Sequence, residues 1–348
     1  MKCFRTLLFY ACAIAILLTS LNSYSEEEKK GWLREKIKNR FIKKMEEFPA
    51  PEASTDLQSK VEKSGTYTFS FMFEKQVRYY IVHVPHSYNS KIPTPLVFSF
   101  HGGGGDMSIQ SNNEFYKTIS KSESEGFIII FPNGISPFKS GKLATWNAGT
   151  CCGKARDTKA DDVGFVKEIL RHTIHQLNVD QKRFFAMGMS NGGMMSYRLA
   201  CELPDVFKAI ASVAGTDNTI DCNPKTAISI LHIHAQNDDH VLFKGGAGKA
   251  FTDDKSKVTN FTSVPDTVLK WVKLNQCQTT PTKMLKTAGA FCDLYSKCKN
   301  KVEVKLCVTE SGGHSWPGGK KPRGGIFEES PSTAISATDM IWDFFKNH

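Results

Sequence analysis

Residues 184–193 read FFAMGMSNGG, so Gly188, Ser190 and Gly192 fall at G-x-S-x-G between a strand-like apolar run and a helical stretch. In that setting Ser190 is a candidate nucleophile: the turn is so tight that a Cβ two residues either side of the serine would meet backbone, and the hydroxyl is thrust into solvent at a helix start. There the helix dipole favours developing negative charge, and the amide of Asn191 is placed to donate to an oxyanion. A hydroxyl attacks only after a base takes its proton, so the chemistry requires a later histidine and a carboxylate to orient it. The histidines after Ser190 are His232, His234, His240, His314 and His348. His232 and His234 lie in ISILHIH, where strand alternation points both to one face, as packed or structural side chains would. His348 is the terminus. His314 sits in SGGHSWPGG, a turn-forming loop after the strand-like run 302–307, and is the candidate base. The run 228–234 leads into AQNDDH, which places Asp238 and Asp239 past the carboxyl end of a strand, where open α/β sheets build their sites. Asp161 and Asp162 precede the serine and open a helical stretch, where capping accounts for them.

An acyl-transfer site also needs oxyanion donors. His101, Gly102, Gly103, Gly104 and Gly105 follow the apolar run PLVFSF, and glycines there let backbone amides approach a tetrahedral oxygen. Gly102, Gly103 and Asn191 are the candidate donors. A phosphate-binding loop is the rival reading of these glycines, and it lacks the Lys and Ser or Thr of a P-loop and the G-x-G-x-x-G spacing with a ribose-binding acid. His101, Trp146 and Trp316, in loops flanking the site, are candidate substrate contacts; the two indoles stack an aromatic acyl group or sugar, or else fill core.

These groups need a scaffold that gathers distant loops. Alternating runs at 67–73 and 77–84 come first, then compact apolar runs at 95–100, 127–131, 184–187, 209–213 and 228–233, with helical stretches at 162–177 and 192–203 between them. Strand and helix in alternation imply a doubly wound, mostly parallel α/β sheet with helices on both faces. Apolar residues at helical spacing over 332–345 predict a last helix that closes one face.

The amino terminus reads differently. Lys2 and Arg5 precede the apolar stretch LLFYACAIAILL, and Ser23 and Ser25 stand before Glu26, which predicts a secretory signal peptide over 1–25. Its apolar core is shorter than the roughly 20 residues of a membrane span. Between Lys29 and Met45 stand eight Lys or Arg and one Glu, with Trp32, Leu33, Ile37, Phe41, Ile42 and Met45 near helical spacing. A basic amphipathic leader, with a linker, is therefore expected over 26–63, either touching an anionic surface weakly or packing on the body; the catalytic domain follows over 64–348. Eight cysteines remain beyond the signal, an even set that in an exported chain predicts disulfides. Local pairing gives Cys277 with Cys307, Cys292 with Cys298 and Cys201 with Cys222, and adjacent Cys151 and Cys152 bridge or stay reduced. No CxxC pair or histidine at ligand spacing supports a metal, and the chemistry calls for no cofactor. The chain is 40% hydrophobic and 23% charged, which excludes disorder for its bulk, and its net charge of +10 is too diffuse in the body to indicate nucleic acid.

Five signatures together resemble secreted serine esterases of the polyhydroxybutyrate depolymerase and feruloyl esterase type, within the α/β-hydrolases. They are HGGGG at 101–105, WNAGTCCG at 146–153, DDVGFV at 161–166, GMSNGG at 188–193 and GGHSWPGG at 312–319. The resemblance runs from about Tyr67 to His348, and the Lys- and Arg-rich leader is also similar. It implies Ser190 as nucleophile, His314 as base and Asp238 as acid, because these proteins carry an Asp in the loop before a paired glycine, here Gly245 and Gly246. This loop reads HAQNDDHVLFKGG where relatives often carry His-Gly-Thr, a small residue, Asp and Pro, so the choice between Asp238 and Asp239 stays open. The expected activity is hydrolysis of small-molecule or polymer carboxylic esters through an acyl-enzyme, feruloyl, phenolic or carbohydrate esters ahead of polyhydroxyalkanoates, since nothing after His314 is long enough for a polymer-adsorption domain. A peptidase of similar fold and a non-catalytic secreted binding protein are the other readings.

Overall fold

The computed structural model describes residues 31–33, 35–54, 56–248, 259–321 and 329–348. The expected signal peptide lies outside them. The chain divides into two units, a leader of residues 1–50 with 138–140 and a body formed by 51–137 and 141–348. In the leader, helix α1 covers 31–46, and Trp32, Leu33, Ile37 and Phe41 on it are exposed. No helix among the described residues is long and apolar enough to cross a membrane.

The body is an α/β-hydrolase fold built on one ten-stranded sheet. Its strands are β1 (Gly65–Phe73), β2 (Gln76–Val84), β3 (Thr94–Phe100), β4 (Ile128–Pro132), β5 (Val179–Met189), β6 (Ala209–Val213), β7 (Ser229–Ala235), β8 (Thr282–Thr287), β9 (Ala290–Tyr295) and β10 (Val304–Thr309). Their order is β1-β2-β4-β3-β5-β6-β7-β10-β9-β8, with the six from β4 to β10 parallel and antiparallel strands at both ends. The apolar runs read as buried parallel strands are buried along their length in β3, β4, β6 and β7.

Period-two alternation sends neighbouring residues to opposite layers. Phe98, Ile130, Ala186, Ile210 and Ile230 join one apolar cluster, and Val97, Ile129, Phe185, Ala211 and Leu231 join the other. Short helices α2 (Met107–Gln110), α3 (Asn113–Tyr116), α4 (Thr118–Glu125) and α5 (Gly153–Asp157) lie in the connections. Helices α6 (Asp162–Gln176), α7 (Asn191–Glu202) and α8 (Val264–Leu274) cover the first layer through Phe165, Val166, Met195, Leu199, Val268 and Trp271. Helix α9 (Ala337–Phe345) covers the second, with Phe345 stacked on Phe185 at 4.6 Å and Trp342 on Phe127 at 4.2 Å. The last helix thus closes one face as expected, but it starts at Ala337, where the Ser336 hydroxyl accepts from the Asp339 amide, rather than at 332. Helix α8 and the β8–β9 hairpin were not expected from the sequence.

The cysteines correct the expected pairing. Cys201 bonds Cys222 and Cys151 bonds Cys152, but Cys277 bonds Cys298 and Cys292 bonds Cys307. The antiparallel register sets Cys307 directly opposite Cys292. Cys298 lies past the end of β9, beyond the bend at Lys297, where it meets Cys277 after α8.

The acidic pair also divides. Asp161 caps α6 through the Gly164 amide, as expected. Asp162 is instead buried and takes Arg78 of β2 at 2.8 Å and the Asn147 amide at 2.8 Å. Burial raises its pKa more than Arg78 and the Asn147 amide lower it. The Arg78 guanidinium lies over the Phe165 ring at 3.9 Å. Removing one partner of a buried pair strands a charge and typically costs about 3–5 kcal/mol. Arg78→Met is therefore expected to lower the unfolding free energy by about that much in denaturant titration, and Arg78→Met with Asp162→Leu to lower it by clearly less than the two single losses added.

Candidate active site

Ser190 joins β5 to α7 with φ 54° and ψ −123°, a backbone state that is rare outside glycine and is held here by its surroundings. Its amide donates to Val213 O at 2.8 Å and its carbonyl accepts from the Met194 amide at 2.9 Å. The two flanking glycines are steric necessities: a Cβ on Gly188 would collide with the Gly192 backbone, and one on Gly192 with the carbonyl oxygen of Phe100. From Phe184 to Tyr197 Ser190 alone is not buried, which is the exposure the motif predicted.

The glycine loop lies against this turn. A Cβ on Gly102 would stand 3.5 Å from the Ser190 Cβ, and one on Gly103 3.5 Å from the Asn191 Cβ. His101 shapes the loop from beneath. Its Nε2 accepts from the Gly134 amide at 3.0 Å, so the ring proton is on Nδ1, which donates to Gly102 O at 2.8 Å. The Gly105 amide donates to the same carbonyl at 3.0 Å. The Gly102 carbonyl and the Gly103 N–H belong to one trans peptide, so fixing the first fixes the direction of the second. Burial pushes the His101 pKa down to about 4, which keeps the ring neutral and its donor and acceptor assigned.

Asn191 secures the next loop. Its Oδ1 accepts from the Trp146 amide at 2.7 Å, and its Nδ2 donates to Trp146 O at 3.0 Å and points at Cys151 Sγ at 3.7 Å. The Trp146 Nε1 donates to His101 O at 3.0 Å, so both sides of the glycine loop and the WNAG loop form one hydrogen-bonded unit.

The candidate acid and base come from the loops that follow adjacent parallel strands. β7 and β10 pair with Ala235 opposite Thr309, so the loops that follow them leave the same sheet edge side by side. His314 Nδ1 lies 2.8 Å from Asp238 Oδ2. Asp238 Oδ1 accepts from the amides of His240 and Val241, each at 2.9 Å, and Oδ2 also lies 3.2 Å from His234 Nε2. Burial opposes the charged form of Asp238, yet the charge of His314 and the hydrogen bonds from His234 and His314 outweigh it and hold the carboxyl well below the ordinary range. Asp239 turns away and pairs with His240 Nδ1 at 2.6 Å. The open choice between the two aspartates therefore falls to Asp238 as the partner of His314. The His240 ring stacks on that of His314 at 4.8 Å and 14°.

Three expectations need correction. His101, Trp146 and Trp316 are all buried, at 0%, 0% and 3% exposure, and present no face to a ligand. His101 and Trp146 hold the glycine loop, while Trp316 donates from Nε1 to Thr338 Oγ1 at 2.9 Å and packs on Tyr116. His234 and His240, which touch the acid and the base, were not read as site residues. Alternation placed His232 and His234 on one face, and only the turn at 236–240 brings that face to Asp238.

The matches to known proteins follow the same outline. Residues 114–228 match the prolyl oligopeptidase family. Feruloyl esterase B of Piromyces equi is 30% identical over 246 residues, 69% of this chain and 43% of that protein. A probable feruloyl esterase C of Aspergillus clavatus is 33% identical over 177 residues, 50% of this chain and 59% of that protein. The chain thus spans about half the length of the curated relatives it matches. An acetyl xylan esterase from Aspergillus awamori superposes with a TM-score of 0.53 at 14% identity, covering 85% of this chain and 99% of that one, which is a likeness of fold.

The depressed pKa of Asp238 has a sign. A carboxylate that is more acidic folded than unfolded contributes stability that is complete above its unfolded pKa, about 3.9, and is lost as pH falls towards the folded value. Asp238→Asn removes that contribution, so the stability gap between wild type and variant is expected to be constant near neutrality and to shrink below about pH 4, as read by urea titration across pH.

Proposed function

We propose that this chain, an α/β-hydrolase similar in sequence to feruloyl esterases, is an exported serine carboxylic ester hydrolase with Ser190, His314 and Asp238 as its triad. The observation that carries the reading is the buried contact of His314 Nδ1 with Asp238 at the edge where the Ser190 turn also emerges. In this arrangement His314 takes the Ser190 proton as Oγ attacks the ester carbonyl carbon, and the negative oxygen of the tetrahedral intermediate receives N–H donors from Gly102, Gly103 and Asn191. Collapse breaks the bond to the alkoxy oxygen, His314 returns its proton to the leaving alcohol, and a water activated by the same ring releases the acid from Ser190. Asp238 stays ionised throughout and stabilises the imidazolium form of His314.

The preferred substrates are feruloyl or related phenolic and carbohydrate esters. The names of the sequence relatives support that class. Export is supported by the signal-like first 25 residues and by four cysteine pairs in the body. Polyhydroxyalkanoates remain the competing ester class, and a fold that binds without turnover is the reading from another class.

A fluorophosphonate probe is expected to label the purified protein and to leave Ser190→Ala unlabelled; equal labelling of that variant rejects the assignment. Because triad members act as a unit, Ser190→Ala and His314→Ala should fall to about the same residual rate, roughly 10⁶-fold below wild type. Methyl ferulate should be hydrolysed faster than emulsified polyhydroxybutyrate is cleared, and the reverse order would replace the substrate class while leaving the chemistry intact.

A further inference from the structure

Two histidines that the reaction does not touch form a buried chain ending on the acid. The Tyr197 hydroxyl of α7 lies 2.8 Å from His232 Nδ1, and His232 Nε2 lies 3.1 Å from His234 Nδ1. His234 Nε2 then lies 2.8 Å from Val241 O and 3.2 Å from Asp238 Oδ2. The two imidazole planes are parallel within 3° with centroids 5.3 Å apart, and the 3.1 Å contact joins their facing nitrogens. Tyr197, His232, His234 and Asp238 are all buried.

One carbonyl fixes every proton in this chain. Val241 O and the ionised Asp238 Oδ2 only accept, so His234 carries its hydrogen on Nε2. With that single proton on His234, its Nδ1 accepts and His232 donates from Nε2. The His232 Nδ1 is left to accept from the Tyr197 hydroxyl. Burial, with His234 beside it, holds His232 far from protonation, in keeping with a neutral His232 ring. All three hydrogen bonds thus run in one direction, towards the carboxylate, and reversing any one would set two donors or two acceptors face to face.

We infer that His234, held in this tautomer by His232 and Tyr197, is a positioning residue for catalysis: its Nε2–H, bonded to Val241 O, also stands 3.2 Å from the same oxygen through which Asp238 holds His314. The inference rests on the triad reading above. Two amides already hold Oδ1, so the His234 donor completes the anchoring of the carboxylate plane and aims Oδ2 at His314. The other charged or titratable groups around the pair are His240 with Asp239, and Glu329, which accepts from Asn237 and the Gly312 amide.

The test uses the whole protein and an ester substrate it turns over. His234→Phe keeps the ring volume without a donor, and is expected to lower kcat roughly 10- to 100-fold, the effect of losing a hydrogen bond to a charged group, with KM unchanged. It should also move the acidic limb of the kcat/KM profile to higher pH, because Asp238 then directs its full charge at His314. His234→Gln, whose amide N–H restores a donor, should recover most of kcat and the original limb. A purely structural role would lower the melting temperature of both variants and leave the kinetics of the folded fraction as in wild type, which overturns the inference, as does a Gln variant as impaired as Phe. Tyr197→Phe removes only the outermost hydroxyl and keeps the core filled, so it reads the chain even if His234→Phe does not fold; a limb displaced in the same direction supports the inference and an unmoved limb overturns it. Asp238→Asn separates the two levels. If it retains wild-type kcat the triad reading falls, whereas a crippled Asp238→Asn beside an unaffected His234→Phe removes this inference alone.

Discussion

The site depends on keeping one carboxylate charged where water does not reach. Asp238 is buried, and an unpaired charge there would neutralise itself rather than remain. Four donors prevent that: two loop amides on one oxygen, and His314 with His234 on the other. The turn at 236–240 exists in this shape because those amides point inward at the side chain, so the fold of the loop and the ionisation of the acid are the same arrangement seen from two sides. Everything His314 does as a base presupposes an anion held still behind it.

A second arrangement serves the opposite end of the reaction. The oxyanion donors proposed above are backbone groups, which have no rotamers to adjust, and their direction must be set by what surrounds them. His101, Trp146, Asn191 and Asp162 supply that support through hydrogen bonds to Gly102 O, His101 O, the Trp146 backbone and the Asn147 amide. Asn191 joins the two parts: its backbone follows Ser190 at the start of α7, and its side chain fastens the WNAG loop. The buried Arg78–Asp162 pair extends the same unit to β2, which couples the stability of the body to the shape of the site.

Much of this was legible in the sequence because it is local. The elbow at 188–192 is a steric argument about five consecutive residues, and the glycine loop one about five more. The parallel strands announced themselves as short apolar runs. What escaped depends on register and on chain turns that bring distant faces together. Cys292 and Cys307 face each other only because β9 and β10 pair in one antiparallel register, and local spacing favoured a different partner. Trp146 and Trp316 sit in loops, where stacking on a ligand and filling core were equal readings, and both loops fold inward so that the indoles fill core. His234 looked like a packed strand residue, and it is one; the turn that follows brings the acid back onto it. Asp162 looked like a cap, and only the arrival of β2 gives it Arg78.

His101 carries a consequence for how the protein should respond to acid. Its ring is closed off from solvent and stays uncharged until about pH 4, so the shape of the glycine loop is insensitive to acidity over the range in which an ordinary imidazole changes charge. On the proposed mechanism, the glycine loop that receives negative charge is thereby insulated from the residues that move protons. Acid inactivation above that limit reports on proton uptake elsewhere in the site, with the receptor for the oxyanion still assembled and ready when the medium is neutralised.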